Sequence, residues 1–331
     1  MVSTSFQLEY AGVVGFHTDQ GGRGFQHPTG IAMRSDGRIF VSSRGAGPTV
    51  GIQMVSKDFE FFGKIGSSGS NVGQMLQPGG LALDKSDNIY VSDEKLNRIT
   101  YFDSEGEVIG SWGDSGSGPG YFNRPTGLVI IGESIFVSDS LNHRIQEFDL
   151  EGRYINQWGI HGKNVGEMNY PWGLSEGREG HIVVADWGND RISTFTQNGE
   201  YVSSLGDGEE SNRFLNRPAH AVLDHEGNMY VADWGNQILQ VFDQDSNVID
   251  VKRGQADLNP WALEYFESQQ DEKLARSTYE PVYKTDTGDI REISARIEPY
   301  FWDPCAVMLD EENRVYVLET CRHRFQMFDR C

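Results

Sequence analysis

Cysteine, positive charge and long apolar runs are all scarce in this chain of 331 residues. Cys305, Cys321 and Cys331 are its only thiols, an odd number and too few to frame a fold with disulfides. Lysine and arginine number 28 against 49 acidic residues, giving a formal charge of −21. The basic residues are scattered rather than clustered, so such a surface repels phosphate backbones and excludes general nucleic-acid binding. No stretch approaches the roughly 18 apolar residues that a membrane span needs. The start, Met1 to Phe6, has no basic segment leading into an apolar core, as a secretory signal would. The expectation is a cytoplasmic protein with reduced thiols and neither nucleic acid nor membrane as partner. Also missing are Cys-x-x-Cys, His-x-x-x-His, the Gly-x-Ser-x-Gly elbow and a phosphate-binding glycine loop.

What the chain does have is one phrase, repeated. A proline, a small residue and an apolar run are followed by a turn and a second run ending in Val-Ser-Asp or Val-Ala-Asp. The opening prolines are Pro28, Pro78, Pro125, Pro171, Pro218 and Pro304, spaced by 50, 47, 46, 47 and 86 residues. Self-similarity at this period marks a repeat architecture. Within a copy the apolar period is two, which means strands. Leu81–Leu83, Ile89–Ser92, Arg98–Phe102 and Val108–Trp112 form one set of four, separated by turns rich in Asp, Asn, Glu and Gly. Four antiparallel strands repeated six times predict a six-bladed β-propeller, an all-β fold and a single domain over residues 1–331. The last copy stops after its third strand, 325–329, while residues 6–15 read as a strand without a blade. Pairing the two closes the ring and removes both open edges.

The phrases Pro-x-Gly-φ-Ala/Val and Val-Ser/Ala-Asp-x-x-Asn-x-Arg-Ile, followed by Phe-Asp-x-x-Gly, resemble NHL repeats. They cover roughly residues 25–252 and 303–329. The resemblance implies the six-bladed ring. It leaves function open, since such propellers include RNA-binding ends of tripartite-motif proteins, a zinc-dependent amidating lyase and bacterial sensor domains. Calcium-dependent lactonases and paraoxonases are neighbouring families. An acidic chain does not fit the RNA binders. The amidating lyase implies several histidines around the channel, but of the residues two places after each proline only His220 is an imidazole. No ligand set stands out, so a divalent metal, zinc or calcium, stays open.

In a four-stranded blade the links between blades and the loops joining second to third strands emerge on one face. This gathers Trp172, His220, Trp302, Asp303 and Cys305 with Trp187 and Trp234 around the channel mouth. Arg44 and Glu319 sit near the Asp slot in the two divergent blades. The segment 253–303 adds about 39 residues to the link between blades 5 and 6, and loops of such length are usually functional. Asn259-Pro260 reads as a helix start with the helix running to about Arg276, then an extended 279–283, the whole forming a lid over the mouth. The Asp slots (Asp93, Asp139, Asp186, Asp233) pair with Arg98, Arg144, Arg191 and, exceptionally, Gln237, so a turn cap is the plainer role for them. Asp233, lacking that arginine, is the exception of interest.

The functional expectation is a small-molecule site at the channel mouth with hydrolase- or lyase-like chemistry on a neutral or cationic substrate. His220 would be the acid or base, Asp233 or Asp303 its partner, and Cys305 a nucleophile or metal ligand. Trp172, Trp187, Trp234, Trp302 and Arg44 would bind the ligand. The alternative is a non-enzymatic scaffold in which the insertion contacts a protein partner.

Overall fold

The computed structural model describes residues 6–18, 22–206, 215–278 and 288–331. Six four-stranded antiparallel sheets follow one another round an axis. Blades 1 to 5 span 28–65, 78–112, 125–158, 171–205 and 218–252. Blade 6 takes Pro304–Leu309, Val315–Glu319 and Arg324–Arg330 from the end of the chain and Leu8–Val14 from its beginning. Within a blade, burial changes with radius. Second strands such as Ile39–Ser43, Ile182–Asp186 and Val315–Glu319 are buried at every position, which is why they read as apolar runs with polar residues only at their last positions. Fourth strands such as Val108–Trp112 and Tyr154–Trp158 lie at the outside and are half exposed.

The small residue two places after the proline is set by how closely the innermost strands approach. A Cβ on Gly127 would lie 2.3 Å from the carbonyl oxygen of Trp172, and one on Gly173 would lie 2.4 Å from Cδ2 of His220. Glycine is what lets adjacent first strands meet there.

Closure runs through the strand Leu8–Val14, which pairs antiparallel with Arg324–Arg330 from Leu8↔Arg330 to Val14↔Phe325, with a bulge between Tyr10 and Gly12. The insertion guards this same seam. Helix α1 (Pro260–Ser268) starts at Asn259, whose side chain accepts from the Ala262 N–H, with Pro260 in the first turn. The helix expected to reach about Arg276 is interrupted at Gln269 and resumes as α2 (Gln270–Ser277). Trp261 is buried in the core shared by blades 6 and 1, with Val14, Phe325 and Met327. Its ring meets Phe16 at 6.3 Å and Phe59 at 6.5 Å, and its Nε1–H donates to Phe59 O at 2.8 Å. Asn259 Nδ2 donates to Gly15 O at 2.6 Å. Helix α1 therefore sits on the junction between blades, and the short helix α3 (Ile290–Arg296) returns the chain to the rim. The expected extended piece 279–283 lies outside the described residues. Among the described residues, no helix is long and apolar enough to cross a membrane.

Leu8, Val13 and Val14 are buried on the closing strand, and removing them forfeits on the order of 5 kcal/mol of apolar burial. Truncation of residues 1–15 is expected to lower the melting temperature by roughly 10 °C or more. Calorimetry on the truncated chain is the check, and an unchanged transition would refute closure through this strand.

Candidate functional site

Each proline pairs in register with the last residue of its second strand: Pro28 with Ser43, Pro78 with Asp93, Pro125 with Asp139, Pro171 with Asp186, Pro218 with Asp233 and Pro304 with Glu319. First strands therefore begin on the face where second strands end, and that face is the rim of the channel mouth. The divergent Asp slots are thus Ser43 and Glu319, with Arg44 one residue beyond.

The carboxylates of the slot are buried and point at backbone. Asp139 accepts from Asn123 N at 2.6 Å, Asp186 from Asn169 N at 2.6 Å, and Asp233 from Asn216 N at 2.9 Å. Asp93 takes both Leu76 N and Gln77 N, and Glu319 takes Trp302 N at 3.1 Å. Arg144, Arg191 and Arg324 close the other oxygen of Asp139, Asp186 and Glu319 at 2.8–2.9 Å. Burial outweighs these partners and raises the pKa of all three acids. Arg98 behaves differently and donates to the carbonyls of Ser70, Asn71 and Gln74. Opposite Asp233 the register places Ile238, not Gln237. Asn236 and Gln240 amides replace the guanidinium at 2.7 Å each, and burial pushes Asp233 up to about 6.

Gln237 belongs to another slot. Asn97, His143, Asp190, Gln237 and His323 all have positive φ at the start of third strands. Each side chain accepts the N–H of the residue before the next blade's proline: Arg124, Tyr170, Arg217, Asp303 and His27, at 2.7–3.1 Å. At the remaining junction Arg44 crosses from blade 1, donating to Pro78 O at 3.0 Å and to Glu94. These contacts tie one blade to the next, and they aim the pre-proline side chains along the rim.

His220 lies on the wall of the central channel, a cavity of about 380 Å³ lined by first strands and touched at its mouth by Arg44 and Trp172. Its Nε2 is 3.0 Å from Leu174 O and its Nδ1 is 3.3 Å from the Val307 N–H, so the neutral ring uses both nitrogens between blades 4 and 6. Burial lowers its pKa. The Cys305 thiol faces Pro28 O and Leu318 O at 3.5 and 3.6 Å, and burial pushes it up to about 12. Asp303 forms a two-pronged pair with Arg291 of α3 at 2.7–2.8 Å and accepts from the Cys321 thiol at 3.2 Å. That thiol too is pushed up to about 12 by burial and the neighbouring carboxylate. Among the described residues, no three histidine, cysteine or acidic side chains are placed to hold a metal ion.

The aromatic candidates assemble. Trp172 and Trp187 are 6.0 Å apart between ring centres, and Trp187 and Trp234 are also 6.0 Å apart. The guanidinium of Arg217 lies 4.9 Å over Trp187, and that of Arg291 lies 5.5 Å over Trp234. Beside this arc is a cavity of about 290 Å³ whose lining includes Arg124, Leu141, Tyr170, Trp172 and Trp187. It shares Thr126 and Trp172 with the channel wall. Trp302 stands apart, under Arg322 at 5.3 Å and with no ring contact to the arc among the described residues. Arg124, Tyr170 and Arg217 escaped sequence reasoning, which compared the residues after each proline. Reading the residue before it would have found all three.

The chain is a six-bladed β-propeller, and a protein family described as a 6-bladed beta-propeller matches residues 76–170. No curated protein matches the sequence. Among solved structures, a protein of unknown function from Bacteroides thetaiotaomicron is 16% identical, with a TM-score of 0.65, covering 98% of this chain and 76% of that one. Virginiamycin B lyase from Staphylococcus aureus is 12% identical, with a TM-score of 0.57 and coverage of 98% and 99%. A streptogramin B lyase is 11% identical, with a TM-score of 0.58 and coverage of 98% of each chain. At these identities the likeness is one of fold.

A further cluster sits at the closure seam. His323 packs 4.6 Å from His17 and 4.9 Å from His27, while its Nδ1 accepts the His27 N–H at 3.0 Å. Burial first, then the charges of His17, His27 and Arg322, push its pKa down to about 3. An unfolded chain takes up this proton near pH ~6.5, so stability is lost as pH falls below that value toward the folded pKa. His323→Asn keeps an acceptor for the His27 N–H and removes the titration. Its expected signature, in denaturant melts between ~pH 7 and ~pH 4, is a shallower loss of stability than in the parent chain. Equal slopes would clear His323 of the effect.

Proposed function

We propose that this chain is a small-molecule-binding propeller of the NHL type, with its site at the channel mouth. The observation that carries this reading is the run of three indoles, Trp172, Trp187 and Trp234, beside a cavity that adjoins the axis. Flat apolar walls with a few convergent polar groups are what a ligand pocket requires. The occupant is a molecule with a ring that can lie against Trp187 or Trp172, held by Tyr170 and Arg124 at its edge.

Hydrolase- or lyase-like turnover is the finer part of the proposal. Two lyases share the fold at 11–12% identity, which supports the ring as a place where such chemistry is carried out in other proteins. In this chain the side chains of His220 and Asp233 keep their polar atoms in protein hydrogen bonds. Binding is therefore the primary role proposed, and the reaction is the secondary one. The low cysteine count supports a cytoplasmic setting. A protein-interaction scaffold is the second reading, favoured by apolar side chains at one repeated slot of the outer strands: Ile109, Ile155 and Val202 are 51%, 50% and 44% exposed.

Ligand-observed NMR with a library of ring-containing fragments tests the primary reading. Hits are expected to weaken by about tenfold or more, roughly 1.4 kcal/mol, in Trp187→Ala. A library without hits, or hits indifferent to Trp187, would leave the scaffold as the better account.

A further inference from the structure

We infer that the ligand of this mouth carries a negative charge on its ring: a planar aromatic or cyclic molecule with a carboxylate or phosphate group. The inference rests on the binding reading above and adds the substrate class. It reverses the expectation of a neutral or cationic substrate, which followed from the charge of the whole chain.

The reversal comes from how charge is distributed at the rim. In a protein of formal charge −21, a site for cations would need only a few of the abundant carboxylates turned toward the mouth. Arginines are found there instead. Arg124 and Arg291 have side chains 48% and 50% exposed, Arg217 is exposed, and Arg44 touches the channel at its mouth. The carboxylates nearest to them are withdrawn. Glu94 has a fully buried side chain and binds both Arg44 and Arg124, and Asp303 is 7% exposed and binds Arg291. These acids fix the guanidiniums in place and present almost no negative surface of their own. Among the described residues two exposed acids stand beside these arginines: Asp190, whose Oδ1 is taken by the Arg217 backbone N–H, and Asp289, whose Oδ1 accepts the backbone N–H groups of Arg291 and Glu292 at the start of α3.

Arg217 is the most telling of the four. Among the described residues its guanidinium has no carboxylate partner and donates no hydrogen bond; it lies over the face of Trp187 at 4.9 Å. A guanidinium laid on an indole keeps its donor edge free, and that planar fork matches carboxylate and phosphate oxygens. Arg124 supplies a second such group on the cavity wall, using Nε and Nη2 on Glu94 and leaving Nη1 for a ligand. A ring lying against Trp172 or Trp187 would thus meet the Arg124 guanidinium on the cavity wall, with the Arg217 guanidinium on a face of Trp187. The local field favours an anion there despite the overall charge, because the mouth is walled by low-dielectric indoles and short-range pairs outweigh distant, screened charges.

The test uses the full chain and four probes sharing one ring: 1-naphthaleneacetate, 1-naphthyl phosphate, 1-naphthaleneacetamide and 1-naphthylmethylamine. Dissociation constants come from calorimetry at low salt. At least one of the two anions is expected to bind about tenfold or more tighter than the amide and the amine. That preference is expected to shrink in Arg217→Ala, to vanish in Arg124→Ala/Arg217→Ala, and to fall with added salt. The ratio between acetate and phosphate identifies which anionic group the site takes. An amide or amine that binds as tightly as both anions, and loses affinity in Trp187→Ala, would overturn the charge assignment and leave the binding site standing. Absence of binding by all four would count against the site itself. Thermal melts of each variant confirm that a lost preference is not lost folding.

Discussion

A buried acceptor at the end of each second strand, turned back on the backbone that opens the first strand, is the contact on which this molecule depends. Five of the six acceptors are carboxylates, Asp93, Asp139, Asp186, Asp233 and Glu319, and in blade 1 Ser43 Oγ accepts from Gln26 N at 3.4 Å. A charge-assisted bond of this kind contributes about 1.5–3 kcal/mol, and leaving one buried partner without the other costs roughly 3–5 kcal/mol. It therefore fixes the strand start rigidly. Everything on the rim is positioned from it: the proline that follows, the channel-lining residues after the proline, and the side chain before it.

The ring also has a weak point, and the chain's one large irregularity lies on it. Five blades are each built from one continuous stretch of chain, whereas blade 6 is closed by a non-covalent junction between the two ends of the chain. Trp261 and Asn259 of the insertion bury themselves at that junction, against Phe16, Phe59 and Gly15. The same segment then sends Arg291 to Asp303 on the rim. One excursion thus contributes to stability at the seam and to electrostatics at the mouth, through different helices.

The ring was legible in the sequence because a two-residue apolar period and a fixed spacing of prolines are direct consequences of pleat and blade size. Its closure was legible because the first and last copies are complementary fragments. The aromatic arc was half legible: Trp172, Trp187 and Trp234 could be gathered by topology, but not the guanidiniums that lie on them. Those depend on two backbone details. One is the positive φ of residues such as Arg124 and Arg217, and the other is the pairing of Arg124 with Glu94, a residue with no counterpart in the other copies. Gln237 was misplaced by one position because sequence alignment of the repeats could not separate the residue facing Asp233 from the cap beside it. His220 stood out as the one imidazole in a glycine slot, yet its hydrogen bonds to the first strands of the two flanking blades depend on how closely the blades pack.

The struts between blades have a consequence for how such a surface changes over evolutionary time. Asn97, His143, Asp190, Gln237 and His323 each grip a main-chain N–H, a group every residue but proline possesses. The grip itself is accordingly indifferent to side-chain identity, within what the left-handed φ of these positions allows, and in this one chain they already hold arginine, tyrosine, aspartate and histidine. The rim is a palette of exchangeable side chains on a frame that does not register the exchange, so recognition can be rewritten one blade at a time.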